Sequence, residues 1–266
     1  MSGNSELLLV TEKGWRRGLN NLLDNEFAGW FKTKMWWIQC IIWVSITGFM
    51  LAGVMFSAPD FDIKEGMMLF SIFMGLFPAI GVVIIMQDAL VGEKSEGTIA
   101  WILSKPASRP SVILSKVTAN SVGVLVTMVL VPGLFAYGLF CYYTKTMLDP
   151  LPFLSAFGVV FISHLFYLTL TLMLGAFFRG RGPVIGLGLG LLFLQQYLIA
   201  AVPALGYVLP WNLVIPVNDN AMAIVPTLLR GEPVTSFLPV ALVFLESVFF
   251  VAISLVGSLI SAILKL

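Results

Sequence analysis

The sequence is short of almost everything that builds a soluble catalytic site. Only 11% of its 266 residues are charged, two are cysteines, and one, His164, is a histidine. With so few soft ligands, held far apart, the chain has no structural zinc site of its own. No Ser-His-Asp set emerges either, because the acidic residues cluster in loops. Nowhere does a glycine precede Gly-Lys-Ser or Gly-Lys-Thr at phosphate-loop spacing, which excludes ATP binding by that route. A net charge of +1 gives no electrostatic footprint for a polyanion, so nucleic acid is excluded as a partner. Cys40 and Cys141 fall at opposite membrane depths in the spans assigned below, so no internal disulfide is expected.

What the chain has is oil: 59% of it is hydrophobic. Apolar runs of about 20 residues recur, each long enough to cross a hydrocarbon core of about 30 Å as a helix. They predict spans at Met35–Ser57, Met67–Gln87, Val112–Tyr143, Phe153–Phe178, Val184–Val202 and Phe237–Leu264. None shows the two-residue alternation of a barrel strand, and lipid leaves the backbone no third choice. The first apolar run begins too late, and is too long, for a cleavable signal peptide. The predicted fold is all-α: a polytopic membrane protein with six transmembrane helices, an amphipathic interfacial helix before them and short outer helices before the last span.

Basic residues set the expected orientation. With the N-terminus cytoplasmic, the inner side holds Lys13, Arg16, Arg17, Lys32, Lys34, Lys94, Lys105, Arg109, Lys116, Arg179, Arg181 and Lys265. The outer side keeps only Lys64, Lys145 and Arg230. Both termini therefore face the cytoplasm of a multi-pass protein.

Ahead of the first span, Trp15–Trp37 repeats apolar residues at helical intervals, with Arg16, Arg17, Asp24 and Lys32 mostly on the other face. That pattern suits a helix over residues 15–34 lying in the inner interface against membrane lipids. An aromatic and basic flank that merely anchors the first span is the plainer alternative. The loop over 203–236 carries five prolines between apolar pieces too short to span, which predicts short helices or a re-entrant element. Gly186, Gly188 and Gly190 lack the spacing of a nucleotide-binding signature and read as close helix packing.

Within the spans, His164, Gln195, Gln196 and Glu246 are the polar residues that stand out. Ionisable groups in lipid are costly and usually face a partner or a wet pathway. They are candidates for a pathway lining, or for interhelical hydrogen bonds that only fix the packing. Asp88, at the end of the second span, reads as a cap or as the partner of a basic residue. Arg179 and Arg181 read as inner-surface anchors.

Between the second and third spans lies a polar island with Asp88, Glu93, Lys94, Glu96, Lys105, Arg109 and Lys116. A short helix over Val91–Leu103 is predicted there, interrupted at Gly97 and stopped by Pro106. Its run Glu93-Lys94-Ser95-Glu96-Gly97-Thr98, then Leu103-Ser104-Lys105-Pro106, Ser108-Arg109 and Lys116, resembles the cytoplasmic signature of ABC-2 type permeases. These are the membrane subunits of one class of ABC exporters, similar to the type V class. Glu26-Phe27 ahead of the first span, together with Trp30 on the same helix, fits the resemblance; so do the six spans and the long outer loop. Ala100-Trp101 departs from it, where many members have an acidic residue followed by an aliphatic one.

The resemblance implies one transmembrane domain over the whole chain, with a coupling loop at 88–111. Glu93, Lys94, Glu96, Gly97 and Thr98 would contact a separate ABC ATPase, present in two copies and carrying the ATP and magnesium; this chain would bind no cofactor and catalyse nothing. A second permease copy, identical or homologous, would complete a pathway between the first, second and fifth helices of each. The Phe, Met, Leu and Val of those helices favour a lipid-like, amphipathic or peptide cargo. Two other classes stay open: an ion-coupled secondary transporter using Glu246 and His164, and a membrane scaffold that moves no substrate.

Overall fold

The computed structural model describes residues 14–57, 61–95, 107–216 and 223–263. Every regular element among them is helical. A 3-10 turn at Gly14–Arg16 leads into α1 (Leu19–Phe31). The first span, α2 (Met35–Ser57), follows after a short break. The second, α3 (Ile63–Met86), runs past a turn at Gln87 into the short helix α4 (Asp88–Ser95). The third, fourth and fifth spans are α5 (Arg109–Thr144), α6 (Pro150–Phe177) and α7 (Arg181–Ala201). Two short helices, α8 (Trp211–Val214) and α9 (Ile224–Leu229), precede the sixth span, α10 (Leu238–Ile263). Among the described residues six helices are thus long and apolar enough to cross a membrane, as the hydropathy predicts.

Local chemistry moves several boundaries outward from where apolarity alone puts them. Asp62 caps α3, its carboxylate accepting from the Lys64 N–H at 2.9 Å, with Glu65 in the first turn. Ser108 caps α5 by accepting from the Ser111 N–H, and a proline sits in the first turn. Asp149 does the same for α6 at 3.0 Å from the Leu151 N–H. These polar starts hide the true helix ends from a hydropathy reading. The α5 helix widens to π geometry over Leu125–Leu130, directly before Pro132, whose ring nitrogen has no hydrogen to donate. A second wide stretch, Val44–Phe49, lies in α2. There Gly48 is pressed against the Phe135 ring of α5, where a Cβ would come within 2.5 Å of it.

The fourth span is the packing centre. Of its apolar window 67% is buried, against 28% for the first and fifth spans and 22% for the sixth. Its buried aromatic residues make edge-to-face pairs with three neighbours: Phe157 with Phe70, Phe153 with Tyr137, and Phe166 with Phe250. Helices already in lipid gain little from hiding apolar surface, so fit between side chains holds them together. Glycines supply that fit. Gly81 receives the Trp43 ring, Gly75 receives Val214, and Gly188 lies against Val83. Among the described residues nothing lies near Gly186 or Gly190, so one of the three glycines in that run packs closely there.

Candidate coupling site

The described residues of the polar island meet the helices around them. Lys116 lies two turns beyond the Ser108 cap, about 12 Å along α5, and is only 5% exposed. An ammonium so deeply buried needs counter-charge close by. Two carboxylates provide it: Glu26 Oε1 of α1 at 2.9 Å and Glu93 Oε1 of α4 at 2.6 Å. One lysine therefore ties the third span to both α1 and the segment that follows the second span.

The α1–α5 contact continues in register from that lysine. Glu26 and Trp30 stand one turn apart on α1, facing Lys116, Asn120 and Gly123 on α5. Trp30 Nε1 donates to Asn120 Oδ1 at 2.9 Å, and Asn120 Nδ2 donates to the Lys116 carbonyl at 2.7 Å. The Trp30 ring fills the place of a side chain at Gly123, where a Cβ would stand 2.4 Å from its indole carbons. Phe27 is half-buried and stacks on Phe31. At the start of α5 the Ser108 hydroxyl donates to the Trp15 carbonyl, and its N–H donates to the Arg17 carbonyl at 2.9 Å. Ser111 Oγ also faces these two carbonyls, at 2.8 and 3.0 Å.

The other side of α4 meets the fourth and fifth spans. Lys94 Nζ donates to the carbonyls of Gly175 at 2.8 Å and Ala176 at 2.6 Å, with Phe178 at 3.5 Å. These carbonyls end α6, where the helix has no N–H left to satisfy them. Asp88 accepts two hydrogen bonds from Arg181, from Nε at 2.8 Å and Nη2 at 3.0 Å. Of the two roles open to Asp88, pairing with a basic residue is the one the fold uses. The predicted Val91–Leu103 helix lies partly outside the described residues, as do Glu96, Gly97 and Thr98. Its described part starts at Asp88 and carries Glu93 and Lys94.

A family model described as ABC-2 family transporter protein matches residues 21–256. The chain belongs to the ABC-2 transporter family. It is the permease component of an ABC transporter and a multi-pass membrane protein. No curated protein matches it. The matched region takes in most of α1 and all of α4 and α5, so the Glu26–Lys116–Glu93 cluster lies wholly inside it.

The remaining polar residues of the permease do not form one group. Gln195 is fully buried between α6, α7 and α8: its Nε2 meets the Tyr167 hydroxyl, and its Oε1 accepts the Trp211 N–H at 3.0 Å. It thereby satisfies a backbone donor of the short helix α8, and Ser71 donates to the Val214 carbonyl at its other end. His164 is fully buried on α6, with the Met74 backbone beside it. Gln196 and Glu246 are half-exposed, on α7 and α10. No hydrogen bond or ion pair among the described residues joins any two of the four. Gln195→Leu is expected to strand the Trp211 N–H and cost about 1–3 kcal/mol, read as an earlier thermal unfolding in detergent. Unchanged unfolding would deny the glutamine its packing role.

Sequence reasoning singled out Glu26, Glu93, Lys94 and Trp30 but passed over Asn120 and Gly123, and it gave Lys116 no role beyond opening a span. A signal was available. Lys116, Asn120 and Gly123 recur at helical spacing on one face of an otherwise apolar span, and a lysine placed there implies a partner.

Proposed function

We propose that this permease is driven by a separate ABC ATPase, two copies of which bind at the end of the bundle that carries α1 and α4. That end and both termini face the cytoplasm, as the distribution of lysine and arginine favours. ATP and magnesium belong to the partner, and this chain performs no chemistry. A second permease copy completes the pathway; the thinly buried first and fifth spans leave apolar faces for it and for lipid. The direction is export from the cytoplasm, across the inner membrane in a cell that has two.

The observation that carries this reading is the single lysine holding both Glu26 and Glu93. A partner that displaces the segment after Glu93 acts directly on that ion cluster, and so on α1 and the third span. A contact transmits motion only if it differs between two states, and a lysine between two carboxylates has alternative pairings to offer. A docking segment with both a charged and an apolar face suits a groove on a soluble domain.

Glu93→Ala combined with Glu96→Ala is expected to lower ATP hydrolysis by the purified complex several-fold. Hydrolysis at the wild-type rate, or failure to co-purify any ATPase with the unaltered permease, would sink the proposal.

A further inference from the structure

The third polar contact of α4, that between Asp88 and Arg181, has no part in the cluster at Lys116. We propose that this ion pair is the positioning link by which displacement of the docking segment reaches the fifth span. The inference rests on the coupling reading above and names the route from α4 to one particular helix.

The contacts that hold α4 are unlike one another. Leu90 and Val91 are buried against Gly175, and Lys94 grips the carbonyls at the end of the same helix. Together they fasten α4 to the fourth span, which is enclosed by its neighbours and so forms the stationary frame. Arg181 opens the fifth span, which is far less enclosed and is flanked there by Gly180 and Gly182. Its helix has no side-chain cap at that end. A segment turning about the Lys94 anchor therefore pulls on the fifth span through the Asp88 carboxylate, which holds the guanidinium at two points.

Gly92 makes that aim possible. It stands one turn after Asp88, and a Cβ there would lie 2.5 Å from Asp88 Oδ1. The missing side chain lets the carboxylate lie along α4 and point at Arg181. Both members of the pair are about half exposed, so the bond adds little to stability. A residue pair of slight structural worth with bidentate geometry between a fixed and a free helix is suited to carrying motion.

The test uses the permease in complex with its ATPase in nanodiscs. Cys40 and Cys141 are replaced by serine, and spin labels are attached at Tyr197→Cys on the fifth span and Leu154→Cys on the fourth, both exposed positions. The distance between them is measured without nucleotide and after trapping with ADP and vanadate. The unaltered pair should show a nucleotide-dependent shift. Asp88→Asn, Arg181→Gln and Gly92→Ala should each lose most of it, and the exchange Asp88→Arg with Arg181→Asp should restore it. Singles that keep the full shift, or an exchange that restores none of it, would overturn the proposal. Glu93→Ala with Glu96→Ala is run alongside on ATP hydrolysis. If hydrolysis ignores that variant, the coupling reading itself fails, whatever Asp88 does.

Discussion

Lys116→Met should destabilise the permease by about 3 kcal/mol or more, and should uncouple it from nucleotide. The lysine side chain is 6% exposed, and the two carboxylates it holds are 22% and 20% exposed. Methionine matches its length and keeps the apolar contacts of its stem, so the loss comes from charge. Glu26 and Glu93 are left facing each other with nothing between them, and removing one partner of a buried ion cluster typically costs about 3–5 kcal/mol. The measurement is thermal unfolding in detergent, followed by ATP hydrolysis in the complex.

A companion variant separates stability from coupling. With Glu26→Gln and Glu93→Gln added to Lys116→Met, no buried charge remains, and uncharged replacements of such clusters are often nearly neutral. Unfolding should return towards the unaltered protein while nucleotide coupling stays lost. Wild-type unfolding of the single variant would show that the three charges do not meet.

Trp30→Ala should release α1 from the third span. The ring is 8% exposed and covers Gly123, so its removal opens a cavity and leaves Asn120 Oδ1 without its donor. Truncating a buried tryptophan costs about 3–5 kcal/mol. Hydrogen exchange of the backbone over Leu19–Phe31 should accelerate markedly, with smaller change in the fourth span. Gly123→Val tests the contact from the other side, since its first carbon falls where the indole stands. Trp36, exposed to 42%, is the control: its replacement by alanine should leave α1 docked. Equal exchange in the Trp30 and Trp36 variants would mean that α1 is held by the membrane and not by α5.

The contrast between these tryptophans shows where sequence reading stops. Trp30, Trp36 and Trp37 look alike as interfacial aromatics, and only the position of Gly123 across the helix pair distinguishes the first. The spans were legible because about 20 apolar residues in a row have one stable outcome in lipid. Their ends were less so, since Asp62, Ser108 and Asp149 start helices with polar groups that hydropathy subtracts. The charged residues of the site were visible as exceptions to an oily background. Their pairing was not. Glu93 and Lys94 are neighbours in sequence, yet one reaches the third span and the other the fourth, a division set by the direction of α4. Likewise, nothing in the order of residues ties Gln195 to the Trp211 N–H, because a turn and a 3-10 helix intervene before the chain comes back to it.

The central place of the fourth span bears on how the permease is made. Ser163, His164, Thr169 and Thr171 are all buried on this helix, and much of the helix's own cover comes from segments that follow it in the chain: α8, α9 and the sixth span. A ribosome therefore delivers this helix to the bilayer before part of its enclosure exists. Until the sixth span emerges, part of this helix faces lipid or the membrane insertion machinery, and a chain stopped short of Leu238 lacks that cover. Nascent permease should be most vulnerable to membrane proteases in that interval, and completion of the sixth span is the step that ends it.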